Sequence, residues 1–292
     1  EEYKKEYPTD FVRDILEPVN NQKGDTIPVS KFTPDGSFPT GTTKYEKRGI
    51  AVKVPCWVSE NCIQCNQCAF VCPHAVIRPY LATEEESQKA PEGTVFLKAI
   101  GKGLENYKYK IQISPFDCTG CGSCADVCPA PKGKALVMKP FEEMFSEEHK
   151  RFKFFDSLPV RDNLMDKYTL KGSQFLQPLF EYSGACAGCG ETPYIKLVTQ
   201  LYGDRMIIAN ATGCSSIYGG SAPVCPYTTN RNGCGPAWAN SLFEDFCEYG
   251  MGMQLASEKM HARIQRLLED AEANEHVSDE FKAVAKEWIA AQ

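Results

Sequence analysis

Cys62, Cys65, Cys68 and Cys72, followed by Pro73, form a C-x2-C-x2-C-x3-C run, and Cys118, Cys121, Cys124 and Cys128, followed by Pro129, repeat it. Each member of the second run lies 56 residues after its counterpart. With fifteen cysteines in 292 residues, chance would supply the second run, given the first, roughly two times in a thousand. The sequence opens Glu-Glu-Tyr-Lys-Lys, with no positively charged start leading into an apolar run. The expectation is therefore metal ligation and not a secreted disulfide scaffold.

The spacing suits a cubane iron–sulfur cluster. Three thiolates at three-residue steps on a tight loop can wrap one face, and the fourth must arrive from elsewhere. In bacterial two-cluster modules the last Cys of each run ligates the other cluster. This assigns Cys62, Cys65, Cys68 and Cys128 to one [4Fe–4S] cluster, and Cys118, Cys121, Cys124 and Cys72 to a second. Structural zinc favours ligands as separated pairs, which steps of three, three and four fit poorly. Ala69, Gly120, Gly122, Ser123 and Ala125 leave room for close approach, and loop amides there can donate to cluster sulfurs. Between the runs, Tyr107 to Ile113 alternates strictly and predicts a half-buried strand in an added hairpin.

A net charge of −6 gives no reason to expect a nucleic-acid partner. Met206 to Asn230 carries no formal charge over 25 residues, but Asn210, Thr212, Ser215, Ser216, Pro223 and Pro226 argue against a membrane span. That stretch reads instead as buried loop around a ligand.

The second half has a different grammar. Gly184-Ala-Cys186-Ala-Gly-Cys189-Gly-Glu191 precedes a helix with Thr192 as N-cap, Pro193 in its first turn, and Tyr194, Leu197, Val198 and Leu201 on one apolar face. Gly203 ends it, and Arg205 to Asn210 predicts a short buried strand running into Ala-Thr-Gly-Cys214-Ser-Ser. Ligands of α/β sheets sit at the carboxyl ends of strands, which places Cys214 beside a candidate cofactor site.

The run Cys62-Ile-Gln-Cys65-Asn-Gln-Cys68-Ala-Phe-Val-Cys72-Pro-His, with Lys171-Gly-Ser-Gln-Phe-Leu-Gln-Pro, Gly184 to Tyr194, Ala209 to Gly219 and Gly235 to Asp245, resembles the single-chain pyruvate:ferredoxin oxidoreductases. The resemblance implies an α+β ferredoxin-like domain with two [4Fe–4S] clusters, followed by part of an α/β domain that binds thiamine diphosphate. It implies a third [4Fe–4S] cluster held in part by Cys186, Cys189 and Cys214, with the fourth ligand beyond residue 292. Glu191 and Cys214, with backbone from Thr212, Gly213 and Ser215, match positions near thiamine diphosphate. In that family, electrons from oxidative decarboxylation of pyruvate leave singly through the clusters to ferredoxin or flavodoxin, and coenzyme A takes the acetyl group.

The Gly-Asp-Gly segment that places magnesium on the diphosphate has no counterpart here, nor do the substrate-binding arginine, the activating glutamate or the coenzyme A domain. The resemblance thus implies an internal piece, with no catalytic residue of its own, that works with the remaining domains of the same enzyme. It further implies a homodimer when complete and an anaerobic cytoplasm, with neither nucleic acid nor membrane as partner. A self-sufficient two-cluster electron carrier, or the same enzyme type acting on another 2-oxoacid, are the competing readings.

The expected organisation is a connector over 1–49, the cluster module over 50–140, a linker over 141–175 and the partial thiamine domain over 176–292. Ile50, Val52 and Val54 predict one strand entering the module. A long helix is expected after Pro236, through Leu242, Phe246 and Tyr249, to about Ala273. Ser278 caps a last helix that buries Phe281, Ala285 and Trp288. Cys56, Cys225, Cys234 and Cys247 read as small buried hydrophobes or free thiols, the last three also as surrogate fourth ligands. His74, His149, His261 and His276 read as solvated or capping groups.

Overall fold

The computed structural model describes residues 9–220 and 223–291. They fall into two compact units: one comprises the described residues up to Ile207 with Gly213–Ala237, the other Ile208–Thr212 with everything from Trp238 onward. Among the described residues no helix is long and apolar enough to cross a membrane.

The 56-residue repeat of the cysteines is also a repeat of structure. In the first copy, β1 (Lys53–Trp57) passes through a 3-10 turn (Ser59–Asn61) into the cysteine loop, then into the one-turn helix α2 (Gln67–Phe70) and β2 (Ile77–Ala82). In the second, β4 (Lys108–Ile113), a 3-10 turn (Pro115–Asp117), α4 (Ser123–Asp126) and β5 (Leu136–Pro140) follow in the same order. The copies interlock, because β1 pairs antiparallel with β5 and β2 with β4, with Cys56 opposite Val137 and Ile77 opposite Ile113. Each pair joins the first strand of one copy to the last of the other, so the end of each cysteine run is delivered to its neighbour's side. The short strand β3 (Leu97–Lys98) adds to β4. This leaves β2 at a sheet edge, where Pro79 costs no ladder bond. Leu104, Tyr109, Ile111, Ile113 and Leu136 fill the core between the sheets.

Two expectations fail together here. The stretch expected to be a linker begins as a sixteen-residue helix, α5 (Phe141–Asp156), and β4 is buried on both faces. Phe141, Phe145, Glu148, Phe152 and Phe155 recur at helical spacing, with a carboxylate at the middle position that hides the apolar period. The Gln112 amide nitrogen donates to the Glu148 carboxylate at 2.8 Å, so the helix and not water meets this donor of β4, while Gln112 Oε1 is buried without a partner among the described residues. Lys110 on the same face is 5% exposed and lies over the Trp57 ring at 4.7 Å.

The expected connector is also structured. A π-helical turn (Val12–Leu16) runs into α1 (Glu17–Asn20), and Val12, Ile15 and Leu16 are buried. The Thr42 hydroxyl donates to the Pro223 carbonyl at 3.1 Å and the Thr43 hydroxyl to that of Glu181 at 2.9 Å. Ile50 and Val52 are exposed, and the strand starts only at Lys53. Further along, Thr83 and Glu86 form a capping box on α3 (Glu84–Gln88), and Arg161 clamps Glu86 at 2.7 and 2.9 Å. Thr169 caps α6 (Leu170–Ser173).

The helix after Glu191, α7 (Thr192–Tyr202), ends at Gly203 as expected but is turned inside out. Thr192, Lys196, Thr199 and Gln200 are buried, whereas Tyr194, Val198 and Tyr202 are exposed. Glu191, not Thr192, occupies its N-cap position. Cys214 begins the short helix α8 (Cys214–Gly220).

In the second unit, β6 (Ile207–Asn210) pairs with β7 (Ala237–Asn240). Ala237 donates to the Met206 carbonyl and Ser241 to that of Asn210, so the two strands run parallel. β6 is not buried: Ile207 is exposed and Ile208, Ala209 and Asn210 are half-buried. β7 also delays the long helix, α9, to Phe246–Ala273. Ser278 caps α10 (Asp279–Ala290) as expected; Ala285 is buried there, but Phe281 is 47% exposed.

Candidate metal centres

Each cysteine run starts with backbone that few residues tolerate. Gly120 and Gly122 have φ of 71° and 82°, and the equivalent residues of the first run, Gln64 and Asn66, have φ of 57° and 62°. The left-handed turns curl the loop so that successive thiols face inward. Non-glycine residues there carry a strain of roughly 1–2 kcal/mol each. Gln64 and Asn66 offset it with buried hydrogen bonds. The Gln64 amide donates to the Lys98 carbonyl at 2.8 Å and accepts from the Ile100 N–H at 2.9 Å. Asn66 donates to the Lys171 carbonyl at 2.9 Å and accepts from the Tyr109 hydroxyl at 2.7 Å.

The interlocked strands gather the thiols into two groups. Cys62, Cys65, Cys68 and Cys128 line one cavity, walled by Trp57, Tyr109 and Leu136. Cys72, Cys118, Cys121 and Cys124 line another, walled by Pro55, His74 and Met138. Among the described residues no three His, Cys, Asp or Glu side chains converge closely enough to hold a single metal ion.

The electrostatics fit a group that brings positive charge. Burial pushes the Cys118 thiol up to about 12 and raises Cys62, Cys68 and Cys124, with the crowding thiols adding to the shift. Thiolate ligands in so dry a site need a metal to hold them ionised. Backbone amides already face the sulfurs: Gly120 N–H donates to Cys118 Sγ and Ala135 N–H to Cys128 Sγ, both at 3.3 Å.

The loop carrying Cys186 and Cys189 lies against the second cavity. A Cβ placed on Gly188 would stand 3.6 Å from Cys121 Cβ. His74, expected at the surface, is 2% exposed, and its Nε2 lies 2.9 Å from the Ala185 carbonyl oxygen. Burial lowers the His74 pKa and favours the neutral ring. Nε2–H then donates to Ala185, and Nδ1 is left to accept from the Thr119 hydroxyl at 3.5 Å. His149 packs edge-on to Phe116 at 5.0 Å, while His261 and His276 are exposed as expected.

The third group of residues is more open. Cys186 and Cys214 are exposed and Cys189 is half-buried; Thr212, Gly213 and Glu191 are exposed as well, with Ser215 half-buried. Tyr218, one turn beyond Cys214, sits beside Glu191 and Cys189; burial first, then the Glu191 carboxylate, raises its phenol. Cys225 Sγ faces the Tyr227 carbonyl at 3.6 Å, Cys56 is half-buried on β1, and Cys234 and Cys247 are exposed.

Lys196 was not anticipated. It is 1% exposed, and its Nζ donates to the carbonyls of Ala69, Phe70 at 3.1 Å and Cys72 at 3.2 Å. Burial pushes the ammonium down to about 8, with Cys72 and Cys68 pulling it back. The legible trace was a polar stripe, Thr192, Lys196, Thr199, at helical spacing.

The family described as a 4Fe-4S dicluster domain matches residues 61–131. A second family, EKR, described as a domain of unknown function, matches residues 1–51. The chain is 60% identical over 96% of its length to a pyruvate:ferredoxin oxidoreductase of Moorella thermoacetica, of which it covers 24%. It is 54% identical over 96% of its length to a pyruvate-flavodoxin oxidoreductase of Enterobacter agglomerans, again 24% of that protein. A mitochondrial pyruvate dehydrogenase [NADP(+)] of Euglena gracilis is 47% identical over 96% of the chain, which spans 15% of it.

This chain is homologous to a segment of the pyruvate:ferredoxin and pyruvate-flavodoxin oxidoreductases. It spans about a quarter of the length of the first two relatives. The segment includes the dicluster domain, and the similarity extends past it into the second half.

Proposed function

We propose that this chain is the electron-relay portion of a pyruvate:ferredoxin or pyruvate-flavodoxin oxidoreductase, with two [4Fe–4S] clusters in its paired cavities. The observation that carries this reading is that each cavity is lined by four thiols, three from one run and the last from the other. Cys62, Cys65, Cys68 and Cys128 would hold one cluster, and Cys118, Cys121, Cys124 and Cys72 the other. The clusters, when bound, supply one-electron redox capacity at low potential.

The chain's own residues set the path. The Cys186–Cys189 loop, packed on Cys121 and tied to His74, makes the second cavity the entry. The interlocked strands carry the path to the first cavity. There Ile63 and Ile100 are exposed beside Lys98 and Lys102, a surface suited to an acidic acceptor such as ferredoxin or flavodoxin. Cys186, Cys189 and Cys214 would contribute to a third cluster upstream. Glu191, Cys214 and the Thr212, Gly213 and Ser215 backbone would face thiamine diphosphate in the whole enzyme, which supplies the magnesium-placing segment from outside this chain. Similarity across 96% of the chain favours this reading over a free-standing electron carrier.

Iron and acid-labile sulfide counting with EPR of the reduced, anaerobically prepared protein tests it. At least about eight irons, with coupled signals from two neighbouring clusters, are expected. About four would overturn the pairing of cavities. Cys128→Ser should remove the same cluster signal as Cys62→Ser, and Cys72→Ser the other. Turnover of 2-oxoglutarate but not pyruvate by the whole enzyme would overturn the substrate assignment.

A further inference from the structure

Lys196 brings a charge against the backbone of the first cysteine run, between Cys68 and Cys72. It rises from α7, four residues into the helix that follows the Cys186–Cys189 loop, and is sealed from water. Among the described residues its hydrogen-bond partners are three carbonyl oxygens: Ala69, bonded to Cys68; Phe70; and Cys72 itself. The first two belong to the C-terminal end of α2, where the Ala69 carbonyl also accepts from the Cys72 N–H at 3.3 Å. Carbonyls solvate an ammonium without cancelling its charge. Among the described residues no carboxylate is within ion-pair or hydrogen-bond distance of its Nζ.

Cys68 lines the first cavity and Cys72 the second. A fixed positive charge between two anionic centres in a dry interior favours whichever state of each carries the extra electron, because Coulomb interactions there are screened far less than in water.

We propose that Lys196 is a positioning residue that raises the reduction potentials of both ferredoxin-type clusters together, through charge delivered from the helix of the neighbouring α/β segment. This rests on the reading of the eight cysteines as ligands of two clusters. Lys196 thereby makes the relay sensitive to the seating of α7, which carries the Cys186–Cys189 loop at its start.

The test is an EPR-monitored redox titration of the cluster-loaded protein as wild type, Lys196→Arg, Lys196→Gln and Lys196→Met, with iron counted in each. Gln keeps a donor for the carbonyls and loses the charge, so it separates electrostatics from capping. The expected result is that Gln and Met shift the midpoints of both clusters to more negative values while Arg stays near wild type. Should Met fail to load iron, the Gln and Arg comparison decides. Wild-type midpoints in fully loaded Lys196→Gln would overturn the proposal, as would a shift confined to one cluster. Fewer than about eight irons in the wild type would instead overturn the cluster reading on which it rests.

Discussion

His74 Nε2 lies 2.9 Å from the carbonyl oxygen of Ala185, and that contact ties the residue two places after Cys72 to the residue just before Cys186. It is a direct link between the second cavity and the loop expected to serve the third centre. His74→Phe keeps the bulk and removes the donor, leaving a half-buried carbonyl unpaired at a cost of about 1–3 kcal/mol. The expected outcome is slower electron arrival at the second cavity's cluster in rapid-freeze EPR of the whole enzyme, with the iron count unchanged. An unaltered arrival rate would mean that the imidazole only fills space.

The left-handed positions give a graded set of stability changes. Gly122 has open space around a would-be Cβ, so Gly122→Ala costs only the backbone strain, roughly 1–2 kcal/mol. At Gly120 the Cβ would also stand 2.9 Å from the Lys53 carbonyl oxygen, so Gly120→Ala should lower the thermal midpoint further. Asn66→Ala should be worse than Asn66→Gly, since both lose the bonds to Tyr109 and Lys171 but only Ala adds strain. Differential scanning fluorimetry under anaerobic conditions orders the four variants, and a reversal within either pair would contradict the account.

Lys110 makes stability depend on alkaline pH. Burial pushes its ammonium from 10.5 down to about 8, with Glu148 opposing the shift. Between those values the unfolded chain holds a proton that the folded chain has lost, so stability rises with pH across that window. Below about pH 8 the burial penalty is fully present, on the order of 3 kcal/mol. The stability of the wild type relative to Lys110→Met should therefore climb from pH 8 towards 10.5. A flat difference in thermal midpoints over that range would exclude Lys110 as the source.

The inverted helix α7 predicts an unusual tolerance. Tyr194→Ser and Val198→Ser replace exposed apolar residues and should change the stability of this chain by no more than about 0.5 kcal/mol. Gln200→Leu makes the helix more apolar yet removes the 2.9 Å bond from its amide to the Leu176 carbonyl, leaving that oxygen unpaired at about 1–3 kcal/mol. Denaturant melts of the three variants would sink the inverted orientation if the serine changes proved the costlier.

What was legible in the sequence was whatever depends on short covalent distance. Three-residue steps put three thiols on each loop, a 56-residue offset announced two copies of one unit, and Ser278 ahead of Asp279 and Glu280 marked the start of α10. Such features need no knowledge of what lies opposite. The tertiary structure decided which faces are dry. Periodicity arguments place polar residues in water, yet Lys110 and Gln112 lie under α5, and Lys196 is buried against the first cysteine run. For two of them a polar partner from a distant segment replaced the solvent: the Glu148 carboxylate for the Gln112 amide nitrogen, and the carbonyls of Ala69, Phe70 and Cys72 for Lys196. Hydrogen-bonding capacity is written in a side chain, but whether water or protein meets it is settled only when remote segments pack together.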